Sequence, residues 1–371
     1  MRILQLVSCR GWSSDAYWAA RVSRELTARG HDVTLGCREG TEARVIDRAR
    51  AEGVERVATF AFGSGLRPAR DTRDVRRLLA WLPRVDLIHV HRGKEHWLAA
   101  AANRLSATPR PIVRTRHIAH AVRAHAANRW LYGRATALVV TVTEAIRGQY
   151  LAAGLVSPER VVALPGGADV EAYAPRAADP RVRVALGGAP DVPVVGMIGG
   201  LRVMKGHRVV VDAAARLRAA GVKARVVFVG RGTTEGVVRE AIARQGLHDM
   251  VATVGFAADV PAVMAALDVA LYTPLESDGM SRVVFEYLAA GRALVASRVG
   301  AVPEVLTHDE TALLVPAGDA VALAEALARL LADGGRRARL GAAGHRLVAE
   351  RYSGGRLAAA LEAHYARLVA A

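Results

Sequence analysis

The sequence predicts an α/β protein built as two doubly wound, mostly parallel-sheet domains. Three observations predict it. Short apolar runs alternate with stretches of helical periodicity along nearly the whole chain. That alternation fades in a stretch with four prolines at 171–193 and restarts at Val194. A length of 371 residues is too long for one small core, and about two domains is the usual outcome. The expected division is therefore a first domain over 1–170, a linker over 171–193, a second domain over 194–352, and a last helix over 353–371 that crosses back to the first domain.

Arg2–Val7 reads as a buried strand, followed by a loop containing Gly11 and a helix over Ala16–Ala28 that Arg29-Gly30 stops. His31–Leu35 is the next strand, completing a βαβ opening. The opening loop lacks G-x-G-x-x-G, so dinucleotide binding has no support there. Val57–Phe62, Leu87–Val90, Ile112–Thr115, Leu138–Val142 and Val161–Leu164 continue the strand series. Helical patterns fall at Asp71–Trp81, Trp97–Leu105, His120–Tyr132 and Glu144–Ala153. In the second half, strands are expected at Val194–Ile198, Ala224–Val229, Met250–Val254, Val269–Tyr272, Leu294–Ser297 and Ala312–Val315. The helices between and after them are His207–Ala220, Thr234–Gln245, Val260–Ala266, Ala320–Ala332, Arg336–Arg351 and Gly355–Ala370. Such sheets bind ligands outside the carboxyl ends of their strands, which directs attention to the loops after Val7, Val90, Thr115, Ile198, Val229 and Tyr272.

Composition narrows the class further. No apolar run approaches the ~20 residues that span a bilayer. MRILQLVSCRGW reads as a first strand and not as a signal peptide. Cys9 and Cys37 have neither metal-site spacing nor the density of a disulfide scaffold, so a reducing cytoplasm is the expected compartment. The net charge of +16 is uneven: residues 1–170 carry 27 basic and 15 acidic residues, residues 171–371 carry 24 and 20. No acid stands between Glu95 and Glu144, while Arg104, Arg110, Arg114, Arg116, Arg123, Arg129 and Arg134 do, with Trp130 and Tyr132 among them. That segment suits peripheral contact with an anionic membrane, or simply a solvated face in an arginine-rich chain. No nucleic-acid recognition motif accompanies the charge, and no nucleic-acid partner is expected.

Two stretches carry the chemistry. In Thr273–Arg292, TPLESDGMSRVVFEYLAAGR, a strand breaks at Pro274 into a polar loop, and a helix follows until Gly291. Ser277 or Asp278 would be its N-cap, bringing the amides of Gly279, Met280 and Ser281 to the positive end of the helix dipole, where an anion is favoured. Glu286 follows Asp278 by eight positions, roughly 10–12 Å at the helical rise. That exceeds the about 5–9.5 Å of carboxylates sharing one glycosidic bond. It suits two hydroxyl-binding acids at opposite ends of an extended ligand, and equally a capped surface helix. Gly199–His207, GGLRVMKGH, follows the first strand of the second domain, and its Arg202 and Lys205 are a pair able to hold a diphosphate. Its spacing is not that of an NTPase P-loop.

In order, GGLRVMKGH, VGRG, VGFAADVP, LDVALYTP, ESDGMSRVVFEYLAAGR, GAVPEV and LLVPAGD resemble glycosyltransferase family 4. So do Gly11 with LTARGHDV, DLIHVH, IVRTRHI and VVALPGGAD in the first half. The resemblance covers nearly the whole chain. It implies the GT-B fold, two Rossmann-like domains facing a central cleft, and retaining transfer from a nucleoside diphosphate sugar, UDP- or GDP-linked, without cofactor or metal. The acceptor would be a saccharide or glycolipid of the cell envelope, of lipopolysaccharide type, and the enzyme cytoplasmic or peripheral on the inner membrane face. By the same resemblance Asp278 stands near the transferred sugar, one methylene shorter than the family's glutamate, and Glu286 binds ribose hydroxyls. Gly279, Met280 and Ser281 offer amides to sugar and pyrophosphate, and Arg202 and Lys205 neutralise the leaving diphosphate. His117 matches the histidine that reaches the donor sugar or its phosphate, and Gly11 lets the first loop approach the donor. Arg92, Lys94, Arg116 and Arg123 are candidate acceptor contacts. Gly166 stands where the family's P-N-G-x-D motif has asparagine, so that loop receives no ligand role. A nucleotide-sugar 2-epimerase of the same fold, and a non-enzymatic basic protein binding membranes or nucleic acid, are the competing readings.

Overall fold

The computed structural model describes residues 1–189, 191–276 and 281–370. The chain forms two units, Met1–Gly166 with the helix Gly354–Ala370, and Gly167–Ser353. The first holds a seven-stranded sheet of β1 (Arg2–Val7), β2 (Asp32–Arg38), β3 (Arg56–Phe60), β4 (Leu87–Val90), β5 (Ile112–Arg116), β6 (Leu138–Thr141) and β7 (Val161–Ala163). Its order is β3-β2-β1-β4-β5-β6-β7 and its pairings are parallel, with Ile3 between Val33 and Leu87. In the second unit β8 (Val194–Ile198), β9 (Arg225–Val229), β10 (Val251–Val254), β11 (Val269–Tyr272), β12 (Ala293–Ser297) and β13 (Leu313–Val315) pair in the order β10-β9-β8-β11-β12-β13, again parallel.

Both sheets reverse direction of growth beside their first strand, between β1 and β4 and between β8 and β11. At such a switch point the loops leaving two neighbouring strands diverge and open a crevice at the carboxyl edge. Helices cover both faces, which is why strands such as VALY and LVAS read as unbroken apolar runs and are buried throughout. Side-chain caps fix several helix starts: Thr143 accepts from the Ile146 amide at 3.1 Å, and Asp319 from Val321 and Ala322 at 2.9 Å.

The proline-rich stretch expected as a linker is built into the second unit. Val170, Tyr173, Ala178 and Val182 pack on its core, and Arg183 donates to Val192 O at 2.9 Å and Asp268 at 2.8 Å. A second difference concerns His120–Tyr132, where only Ala126–Trp130 is α-helical, continued by a wider turn over Leu131–Ala135. The preceding residues are held as a loop by side chain-to-backbone bonds, Arg116 to His120 O and Asn128 to Arg123 O, and His125 caps the short helix. Tyr132 is core, set edge-on to His96 and Tyr150, and so cannot serve as the interfacial aromatic of a membrane-facing segment. Arg114 is buried as well. Among the described residues no helix is long and apolar enough to cross a membrane, and no group of His, Cys, Asp and Glu could hold a metal ion.

The last helix seals the first unit. Leu357, Ala358, Leu361 and Tyr365 pack with Ile3, Trp18 and Val113, and the Tyr365 hydroxyl is hydrogen-bonded to His89 Nδ1 under the sheet's switch point. Replacing Tyr365 by Ala is expected to cost about 3–5 kcal/mol from the lost aromatic burial. Tyr365→Phe, which loses only the buried hydrogen bond, should cost on the order of 1 kcal/mol. Urea midpoints of the two variants check the difference.

Candidate functional site

In the second unit three strand-end loops are pressed together. After β8 the chain runs through Gly199, Gly200 and the buried Leu201 into a 3₁₀ turn, Val203–Lys205, and enters the helix His207–Ala219 through Gly206. Gly206 has φ +75°, and a Cβ there would stand 2.1 Å from Thr273 O, so only glycine fits. After β9, Gly230 is similarly confined, at φ +146° and with its added Cβ 2.1 Å from Gly199 O. Backbone bonds stitch the loops: Leu201 N to Arg231 O at 3.2 Å, Thr234 N to Leu201 O at 3.2 Å, and Leu275 N to Met204 O at 2.8 Å.

This packing positions the two cations expected to meet a diphosphate. Thr273 Oγ1 donates to Lys205 O at 3.3 Å, and Lys205 Nζ lies 5.5 Å from the Tyr272 ring centroid, a cation–π contact. Arg202 is exposed, its Nε alongside Gly200. Both therefore stand at the carboxyl edge beside the β8/β11 switch point. The helix Arg282–Ala289 is tied to the same edge, because Ile198 N donates to the Tyr287 hydroxyl at 2.6 Å. Next to Tyr287, Glu286 is 2% exposed and pairs with Arg282 Nε at 2.8 Å, which fixes the direction of its carboxylate.

The start of that helix differs from the sequence reading. Ser281, extended at φ −74° and ψ 130°, is its N-cap, and the helix begins at Arg282, several residues after the expected Ser277 or Asp278. The Ser281 hydroxyl makes no capping hydrogen bond, and the start is marked by the extended backbone of that residue. The helix that carries Glu286 therefore spans Arg282–Ala289. Ser277, Asp278, Gly279 and Met280 lie outside the described residues.

The first unit contributes a pocket of about 320 Å³ at the carboxyl ends of β1, β2, β4 and β5. His117, immediately after β5, lines it, as do the expected contacts Arg92, Lys94 and Arg116; Arg123 does not. Gly11 is not among its walls, and a Cβ there would meet no atom within 4 Å, so no protein neighbour demands glycine. Beneath the pocket Gln5 Oε1 accepts from His91 Nε2 at 2.7 Å. In a neutral ring this leaves His91 Nδ1 as the acceptor, and His117 Nε2 donates to it at 3.2 Å. Trp18 lies against the rings of His89, His91 and His117. Burial chiefly, opposed by Asp15 and reinforced by Arg114, Arg92 and Arg116, brings His117 down to about 4. At neutral pH His117 is thus an uncharged hydrogen-bonding group and not a cation for phosphate.

Sequence reasoning missed Asp15, Arg10, Arg38 and Arg114. Burial works against the Asp15 charge, but His117, the Ser13 hydroxyl and Arg92, bonded to Asp15 at 2.6 Å, outweigh it and bring the carboxyl down to about 2. A signal for Arg114 did exist: it is a charged residue in the middle of the apolar strand IVRTR, where a buried charge has to be explained.

Comparison with known proteins agrees with the resemblance read from the motifs. Residues 16–172 match the family described as Glycosyltransferase Family 4, and residues 192–333 that described as Glycosyl transferases group 1. A 2-deoxystreptamine glucosyltransferase of Streptomyces kanamyceticus is 30% identical over 269 residues, 67% of this chain and 68% of that protein. An MMP α-(1→4)-mannosyltransferase of Mycolicibacterium hassiacum is 32% identical over 235 residues, 62% of this chain and 54% of that protein. A lipopolysaccharide core mannosyltransferase of Rhizobium meliloti is 31% identical over 184 residues, 48% and 51%. The matched stretch thus spans only about half the length of several such relatives. A glycosyltransferase from Rickettsia africae superimposes with a TM-score of 0.86 at 18% identity, over 99% of this chain and 98% of its own. Anabaena HepE in complex with UDP does so with 0.83 at 20%, over 99% and 100%. At these identities the likeness speaks for the fold, which is GT-B.

Acid should destabilise the protein through its buried histidines. His117 and His207, the latter also depressed by burial, take up protons near 6.5 when unfolded but near 4 when folded. The unfolded chain binds more protons in between, so stability is full above pH 6.5 and declines as pH falls towards 4. Denaturant midpoints measured across that window should fall, and His207→Gln should flatten the slope. A second pair isolates the glycine constraint: Gly206→Ala should cost on the order of 1–3 kcal/mol, Gly11→Ala less than about 0.5 kcal/mol, by the same measurement.

Proposed function

This chain belongs to glycosyltransferase family 4, and we propose that it is a retaining transferase moving a sugar from a nucleoside diphosphate donor to an acceptor hydroxyl. The observation that carries the proposal is the glycine-packed turn holding Arg202 and Lys205 at the β8/β11 switch point, with Glu286 on the helix tied to the same strand end. In the transfer, the bond from the sugar's anomeric carbon to the diphosphate oxygen breaks and one to the acceptor oxygen forms. The acceptor's proton passes to the leaving diphosphate. Arg202 and Lys205 stabilise the charge that develops on that diphosphate, a preorganised electrostatic contribution that requires no metal. Glu286 accepts from the ribose hydroxyls. Asp278 at the sugar, and the amides of Gly279, Met280 and Ser281 at sugar and phosphate, complete the donor contacts by the family pattern.

A UDP- or GDP-sugar is the proposed donor. Relatives named as mannosyl- and glucosyltransferases, one of them GDP-mannose-dependent, and a fold neighbour bound to UDP-glucose support that choice. The proposed acceptor is a saccharide or glycolipid of the cell envelope, as the relatives acting on lipopolysaccharide core and phosphatidylinositol monomannoside suggest.

Thermal-shift titration with UDP, GDP and ADP should raise the melting temperature with one of the first two. Lys205→Ala should weaken that nucleotide roughly tenfold or more, the scale of one charge-assisted contact; unchanged affinity would remove Lys205 from the diphosphate. Glu286→Gln should lower both nucleotide affinity and transfer while the melting temperature of the free protein stays close to wild type. Transfer should persist in EDTA.

A further inference from the structure

The pocket of the first unit carries a charge imbalance that the protein itself does not neutralise. Its walls include Arg10, Arg38, Arg92, Lys94, Arg114 and Arg116 but a single carboxylate, Asp15. Asp15 is taken by Arg92, and Lys94 is paired with Asp71 at 2.6 Å. Among the described residues the other four arginines have no carboxylate within ion-pair distance. Arg10 and Arg38 converge on one neutral atom, Ser64 Oγ, the second at 3.2 Å. Burial, and then the nearby Arg10 and Arg70, hold Arg38 below the usual arginine value, as expected of cations crowded together.

Arg114 is the sharper case. It is 3% exposed, yet its Nε and Nη1 have no hydrogen-bond partner. Glu95 feels its charge but lies beyond ion-pair distance, with Oε1 engaged by the amides of Arg92 at 2.7 Å and Ser8 at 3.3 Å. The Arg116 Nε is likewise without a partner. Leaving buried guanidinium donors unmatched is costly, and folds retain such an arrangement where something outside the chain supplies the acceptors.

We propose that this pocket binds an anionic group, a phosphate or carboxylate, borne by the acceptor saccharide; this rests on the transferase reading above. Arg114 and Arg116 supply donors from the floor, Arg38 and Arg10 close over the charge from the rim, and neutral His117, whose Nε2–H is given to His91, leaves Nδ1 to accept from a sugar hydroxyl. The volume of about 320 Å³ is at the small end for ligand sites and suits one monosaccharide unit with its charged substituent.

Calorimetric titration of the full chain with glucose 6-phosphate, glucuronate, inorganic phosphate and glucose tests it. At least one anion should bind while glucose does not. Binding by the phosphate compounds alone assigns a phosphate, and by glucuronate alone a carboxylate. Arg38→Gln, a change at the partly exposed rim outside the core, should weaken the anion roughly tenfold or more, and Lys205→Ala should leave it unchanged. Arg114→Gln should weaken it too, with near-wild-type circular dichroism as the folding control. Absence of anion binding, indifference to Arg38→Gln, or loss with Lys205→Ala would overturn the proposal, the last by putting the anion on the donor turn. Nucleotide thermal shifts on the same samples separate the two readings: if UDP or GDP still stabilises the chain while the anions fail, only the pocket assignment falls.

Discussion

Everything at the carboxyl edge of the second sheet depends on backbone approaching backbone without an intervening Cβ. Gly206 lies against Thr273 O and Gly230 against Gly199 O, each at a distance that no other residue tolerates. These approaches bring the loops after β8, β9 and β11 into one layer, and their amides and carbonyls satisfy one another across it. Lys205 inherits its position from that layer, through its own carbonyl and through the Tyr272 ring. Glu286 inherits its position from the Tyr287 hydroxyl, which anchors the helix to the end of β8. The proposed diphosphate role needs such fixed cations, because side chains that must first be ordered lose part of their electrostatic advantage.

The first unit is organised by a different constraint, the cost of polar groups under a parallel sheet. Gln5, His89, His91, His96, Glu95 and Arg114 are all buried near the β1/β4 switch point. The histidines meet that cost by staying neutral: burial holds His89, His91 and His96 well below the usual imidazole range. They are then matched as donors and acceptors, His89 with Tyr365 and Thr115, His91 with Gln5 and His117, His96 with Thr136. Arginine has no neutral form to retreat to, so Arg114 keeps a charge that its neighbours do not cancel. Among these histidines one ring nitrogen, His96 Nδ1, lacks a partner, whereas Arg114 has two donors, Nε and Nη1, without one.

Strand identity was legible because strands buried on both faces are apolar on both faces, and β4, β8 and β11 begin and end where their runs do. The helix Ala320–Ala332 was equally legible, with Asp319 as its cap. Arg202, Lys205 and Glu286 could be singled out as candidates because they stand in short local patterns next to a strand end. His120–Tyr132 misled because helical periodicity does not register the side chain-to-backbone bonds of Arg116 and Asn128 that hold its first half as a loop. Ser281 was overlooked as a cap because Ser277 and Asp278 offer the same chemistry earlier in the same segment.

By itself the sequence determined the strand order's raw material, the two-unit α/β class and the family pattern, since these follow from local periodicity and from motifs whose residues are near neighbours in the chain. Tertiary structure alone decided that Tyr132 is core and that the proline-rich stretch belongs to the second unit. It also decided that Arg10, Arg38 and Arg114, far apart in sequence, share one pocket. The physical reason is common to all of these: burial and charge balance depend on which strand ends meet, and in a parallel sheet with crossovers the meeting ends are brought together by packing and not by proximity along the chain.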